Sequence, residues 1–198
     1  SHAEWNVIPV NQCARIPGTV SFEAAAFGNL GAIAMHGVRL CRPQMGETVV
    51  VIGLGLIGQL AVMQFAAAGL RVVAVDLSAQ KVKLAIEHGA HKGAVAGLDD
   101  IVSEVAQFTD GVGADAVYVA AATKNRDPLD LAVELARVRG RIVLVGVCDI
   151  AFDRKSLWEK ELDFKVSFAS GPGSLDVSYE IGGVDYPLPY ARWTEKRN

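Results

Sequence analysis

Three cysteines in 198 residues, Cys13, Cys41 and Cys148, are too few and too scattered for a disulfide framework or a Cys-x-x-Cys metal knuckle. A reducing cytoplasm is the expected compartment. No apolar run approaches the roughly 20 residues of a membrane span, and the amino terminus has no basic stretch leading into an apolar one. A soluble, untargeted protein without a membrane partner is expected. The formal net charge is only −3, and neither sign gathers into a run that could track a phosphate backbone. Nucleic acid is therefore a poor partner. Internal repeats and low-complexity segments are also missing.

What the chain has is apolar residues, at 51%, against 21% charged, enough to bury the core of one domain with some extra chain. From Thr48 onward, short Val- and Ile-rich runs alternate with segments of helical period. That alternation predicts a parallel sheet covered on both faces. Strands are expected at 48–52, 72–75, 116–120 and 142–145, with a weaker one at 94–96. Phe164, Val166 and Phe168 alternate with Lys165 and Ser167, which predicts a sixth, edge strand with one buried and one wetter face. Helices are expected at 56–68, 78–88, 98–108 and 128–138. Ser78 is placed as an N-cap, Asp99 and Asp100 at a helix head, Pro128 in a first turn, and Gly69, Gly89 and Gly140 at helix exits. Residues 21–40 read as an Ala-rich helical region after extended chain. Beyond Ser170 the Gly171-Pro172-Gly173 run breaks structure, and the tail shows no clean period.

The strand Val49-Val50-Val51-Ile52 runs into Gly53-Leu54-Gly55-Leu56-Ile57-Gly58 and then a helix. A lone G-x-G-x-x-G is a weak signal, but here it sits in the strand–turn–helix context that its mechanism needs. Gly53 permits the tight turn, Gly55 lets backbone approach a pyrophosphate, and Gly58 lets the helix pack close to the strand. The free N–H groups at Leu56 and Ile57, backed by the helix dipole, would hold the phosphates. Asp76 ends the second strand 18 residues after Gly58, where a carboxylate accepts hydrogen bonds from the adenosine ribose and repels a 2′-phosphate. Leu77, Ser78 and Ala79 follow it rather than an arginine, so NAD(H) is favoured over NADP(H). The fold expected is α/β: a doubly wound parallel sheet of about six strands, a Rossmann domain. S-adenosylmethionine, FAD and a non-catalytic dinucleotide-binding module share parts of this pattern and stay open as alternatives.

With Asp76 and Lys81, Gly89-Ala90, Asp115-Ala116-Val117, Gly140-Arg141-Ile142-Val143 and Lys160-Glu161-Leu162, residues 4 to about 170 resemble the cofactor domain of the medium-chain dehydrogenase/reductase family. That is the family of zinc-type alcohol, sorbitol and threonine dehydrogenases. The resemblance extends back through Glu4-Trp5, Val7-Ile8-Pro9, Arg15-Ile16-Pro17 and Ser21-Phe22-Glu23-Ala24-Ala25. It implies hydride transfer between a nicotinamide and an alcohol or carbonyl compound. It adds Lys81 to the cofactor site and places the nicotinamide near Val145, Gly146 and Val147, beside Phe168-Ala169-Ser170.

The same resemblance makes residues 1–20 the end of a preceding catalytic domain, 21–170 the NAD-binding domain and 171–198 a tail or linker. Small-molecule substrate would be handled by the absent domain, so no catalytic residue is assigned. Alignment on His36 puts Asn29 where many zinc-dependent members carry a Cys, Asp or Glu ligand. An amide is a poor zinc ligand, which places catalytic zinc in doubt and leaves no metal residues to name. His36 reads as packed in its helix, and Cys148 as a small loop residue. The segment from Asp185-Tyr186-Pro187 to Arg192-Trp193-Thr194-Glu195 loosely resembles the junction before a glucose-fructose-oxidoreductase-like domain. A homodimer through the sixth strand is the expected self-association.

Overall fold

The structure, a computed structural model, describes residues 4–198. It divides into two compact units: residues through His36 with Phe168–Asn198, and Gly37–Ser167.

The second unit holds a six-stranded, all-parallel sheet. In chain order, α1 (Phe22–Ala25) and α2 (Gly28–Leu40) lead to β1 (Thr48–Ile52), α3 (Leu56–Ala67) and β2 (Arg71–Asp76). There follow α4 (Ala79–Glu87), β3 (Lys92–Val95), α5 (Ile101–Phe108), β4 (Ala114–Val119), α6 (Asp127–Leu135) and β5 (Ala136–Leu144). The series ends with α7 (Arg154–Lys160), β6 (Asp163–Val166) and, in the tail, α8 (Val177–Glu180). Strand order is β3-β2-β1-β4-β5-β6. Every residue of β1 is buried, as a strand covered on both faces requires. Val50, Val73, Val117 and Ile142 carry the core across the sheet, with Leu129, Ala132 and Val133 of α6 against it.

The expected strands and helices are present, with corrections at their ends. The helix expected over 128–138 stops at Leu135, because Ala136 already pairs with Ala114 in the sheet. Gly140 is thus a buried strand residue, and the register skips from Ala114↔Ala136 to Ala116↔Arg141 around Arg139 at φ +60°. Ser78 occupies the N-cap position of α4 but makes no cap bond; its N–H donates to Asp76 instead. Asp100 does cap α5, and its neighbour Asp99 accepts from Val95 N–H. Strand β6 ends at Val166, so Phe168 lies outside it, and Phe164 and Lys165 are both half-buried while Val166 is exposed. The expected two-faced alternation is absent: Phe164 packs against the core and the ring of Phe152, whereas Val166 and Phe168, expected on the same face, are exposed. Helix α7, unexpected from the sequence, supplies the crossover that a parallel β5–β6 pair needs.

In the first unit the tail is folded. Tyr179 of α8 is fully buried, stacks on Tyr186, donates to Thr194 Oγ1 and receives Asn11 Nδ2 on its carbonyl. A 3-10 turn at Val10–Gln12 interrupts the extended chain that precedes α1.

Candidate cofactor cleft

The strand order reverses between β1 and β4, and such a switch point leaves a crevice at the carboxyl ends of the strands. A cleft of about 460 Å³ opens there, with Gly53, Gly55 and Asp76 on one side and Ala120, Ala121 and Thr123 on the other.

Each glycine of the motif has a distinct physical reason to be glycine. Gly53 has φ +91°, and a Cβ on it would stand 2.5 Å from the backbone nitrogen of Ala121. A Cβ on Gly58 would be driven into the carbonyl oxygen of Gly53. Gly55 differs: no protein atom lies within 4 Å of where its Cβ would be, so the backbone there faces open space in the cleft. Gly55 is also the N-cap of α3 and offers no side-chain cap. The first-turn N–H groups at Leu56 and Ile57 are therefore free of a side-chain acceptor from the cap residue, as an anion site at a helix amino terminus requires.

Asp76 lies at the end of β2 and is held in place by backbone donors. Its Oδ2 accepts from Leu54 N–H at 2.7 Å and its Oδ1 from Ser78 N–H at 2.9 Å. The ammonium of half-exposed Lys81 stands 3.8 Å from Oδ1. Both residues line the cleft, so the structure brings Gly53, Gly55, Asp76 and Lys81 together. Leu56, Ile57 and Gly58 form the helix start behind them.

Val145, Gly146 and Val147 are placed differently. They continue β5 beside the Ala120–Ala122 strip, through Val145 N–H and Gly146 N–H to Val119 carbonyl and Val147 N–H to Ala121 carbonyl. A Cβ on Gly146 would collide with Ala121 carbonyl oxygen, so this glycine serves close packing of the two strand ends. None of the three lines the cleft. Ala169 belongs to the other unit and has φ +45°. The cleft also has a wall that the sequence did not mark, from Ala120 through Thr123 to Asn125 and Asp127. Thr123 Oγ1 and Asn125 Oδ1 are 3.1 Å apart, and Asn125 Nδ2 donates to Asp127 at 2.7 Å. The signal that could have found this wall is the switch-point rule applied to the end of β4.

Several other chemistry-bearing side chains are taken up by packing. Cys41 is fully buried, and loss of hydration pushes its thiol up to about 12. Partial burial and the neighbouring Asp149 also raise the Cys148 thiol, which packs against the core. The Tyr118 hydroxyl is raised by burial, and its ring meets Phe65 edge-on at 5.6 Å. His36 packs beside Gly171.

Known proteins place this geometry in a family. The profile described as zinc-binding dehydrogenase matches residues 57–180, well over half of the chain. The chain belongs to the zinc-binding dehydrogenase family. It is 31% identical to the (R,R)-butanediol dehydrogenase of Bacillus subtilis over 147 residues, 74% of this chain and 39% of that one. Alcohol dehydrogenase TADH from Thermus sp. ATN1 superposes with a TM-score of 0.73 at 28% identity, covering 93% of this chain and 52% of that one. A Sinorhizobium meliloti chain described as a zinc-binding dehydrogenase, bound to NADP, gives 0.71 at 29% identity over 77% of this chain and 46% of that one. The chain thus spans about half the length, or less, of the relatives it matches.

The family name implies zinc, and the residues present do not fit it. Asn29 is exposed and neutral, Cys41 is held as a thiol, and among the described residues no three His, Cys, Asp or Glu side chains converge on a point. A dinucleotide does fit: an open glycine, an uncapped helix start and a fixed carboxylate share one cleft. Among the described residues no helix is long and apolar enough to cross a membrane.

Proposed function

We propose that this chain is the cofactor-binding portion of an NAD(H)-dependent dehydrogenase or reductase acting on an alcohol or carbonyl substrate. The observation that carries the reading is the pairing of Gly55, open to the cleft, with Asp76, whose carboxylate is fixed at the same rim. The bound nicotinamide would supply the hydride acceptor or donor. This chain's residues would hold the pyrophosphate on the amino end of α3 and the adenosine ribose on Asp76, with Lys81 beside it. The nicotinamide end is assigned to Val145, Gly146 and Val147, with Ala169.

In this reading residues 1–20 complete a preceding catalytic domain, 21–170 bind the cofactor and 171–198 lead onward. Substrate contacts come from outside this chain, as do any zinc ligands. The S. meliloti neighbour carries NADP, so the discriminating measurement is titration calorimetry with NADH and NADPH. NADH is expected to bind tighter, and Asp76→Ala to weaken it by about 1 to 3 kcal/mol through lost charge-assisted hydrogen bonds. Equal or tighter NADPH binding would overturn the role given to Asp76; S-adenosylmethionine outcompeting NADH would overturn the reading itself.

The free edge of β6, with exposed Val166, is assigned to pairing with a second copy of the chain. Light scattering at tens of micromolar should give a dimer that Val166→Pro dissociates. A wild-type monomer would remove the assignment.

A further inference from the structure

We propose that Gln59 is a positioning residue of the cofactor cleft, tying the phosphate loop to the turn that carries Lys81, and that His88 sets the direction of its amide. The proposal rests on the reading that the cleft holds NAD(H).

Gln59 lies one turn into α3 and is only 7% exposed. Its buried neighbours on that helix are Gly58, Ala61, Val62 and Phe65, so a leucine would suit the position without burying a polar group. Both ends of the amide are instead hydrogen-bonded. Nε2 donates to the carbonyl of Lys81 at 2.9 Å and to that of Leu54 at 3.3 Å. Carbonyl oxygens only accept, so the nitrogen end must face them. The oxygen end is then turned to His88 Nδ1, 3.2 Å away. An amide oxygen also only accepts, which requires His88 to carry a proton on Nδ1. His88 is the C-cap of α4, the helix whose first turns carry Lys81.

These bonds close a ring. Leu54, the residue between Gly53 and Gly55, is clamped at its N–H by Asp76 and at its carbonyl by Gln59, while its side chain is buried. Asp76 faces the ammonium of Lys81, and Gln59 holds the carbonyl of the same lysine. Two routes therefore join the loop to the Lys81 turn. The ring matters because glycine on both sides of Leu54 leaves that backbone freer than any other residue would. A loop that is not already in its binding conformation loses affinity when it must be ordered by the ligand. Gln59 acts through Leu54 and Lys81 and not by touching the ligand.

The test is calorimetry of NADH on the 198-residue chain and its variants, with circular dichroism to verify folding. Gln59→Leu should bind NADH roughly tenfold more weakly, as expected for losing one to two hydrogen bonds that order the site. His88→Leu, which removes the donor to Oε1, should lose about threefold. His88→Asn should regain the loss, because its amide nitrogen stands as far along the side chain as Nδ1 does. Rescue by Asn but not by Leu is an outcome that packing alone would not give. Should Gln59→Leu fail to fold, the His88 pair decides. Wild-type affinity in Gln59→Leu, or equal affinities in His88→Leu and His88→Asn, would overturn the proposal while leaving the cofactor reading standing. No NADH binding by the wild-type chain would overturn both.

Discussion

At the amino ends of the strands, polar groups are tied to one another. Arg137 meets Asp115 at 2.6 Å, Arg141 meets Glu47 at 2.6 Å, and Arg42 pairs with Asp163. Asp115 also accepts from Thr48 N–H, and Lys160 donates to the carbonyls of Val133 and Glu134 at the end of α6 and of Ala136 at the start of β5, at 2.7 to 2.8 Å. At the carboxyl ends, the loop after β1 presents a bare glycine backbone and an uncapped helix start to a cleft. One edge is a closed set of mutual bonds; the other keeps hydrogen-bonding capacity for something else. Stability is therefore lodged at one end of the sheet and recognition at the other. Glycines at the recognition end still divide between the two roles.

That division can be tested with one kind of change. Gly58→Ala should have the largest effect: its methyl has no space against Gly53, and overpacking into backbone should cost roughly 3 kcal/mol or more of folding stability in urea denaturation. A loss below 1 kcal/mol would mean that α3 moves away easily and that the close packing is incidental. Lys160→Met comes next. Removing a cation that bonds three carbonyls at the stability end should cost about 2 kcal/mol and leave NADH affinity unchanged. A parallel fall in affinity would erase the contrast between the two ends. Gly55→Ala should be mildest for the fold, costing under about 1 kcal/mol at an N-cap, since its methyl meets nothing and its φ is an ordinary −65°. Calorimetry should nonetheless find NADH binding to Gly55→Ala much reduced. Normal binding there would move the phosphate site off this loop.

The sheet and the loop were legible in the sequence because their signals are local. Buried parallel strands leave Val- and Ile-rich runs, and the three glycines lie within six residues of each other. Other parts left no such trace. Helix α7 has no fully buried residue, so Arg-Lys-Ser-Leu-Trp-Glu-Lys shows no apolar stripe; only the need to cross over between β5 and β6 calls for it. Val138 looks like a core helix residue but is 60% exposed, since the chain has already left α6. Tyr179 is buried and hydrogen-bonded to Thr194 and Asn11, partners drawn from opposite ends of the chain. In the cleft, Asp76 was legible by its place at the end of β2 but not as the clamp on Leu54 N–H. Gln59 and His88 likewise take their meaning from backbone groups that tertiary structure brings to them.

The crossing from β3 at one edge to β4 beside β1 has a kinetic consequence. Val50 pairs with Val73 on one side and with Val117, much later in the chain, on the other. The first pairing can form while only the first half of the sheet is made. The second must wait for β4 to be synthesised and to close a long loop, a step whose entropy cost slows folding. Because the cleft is walled by both sides of that seam, a chain in which only the first half of the sheet has paired would carry the complete glycine motif but half of the wall. A dinucleotide would then discriminate by degree of folding as well as by chemistry, binding the finished sheet and pulling the folding equilibrium toward it by mass action.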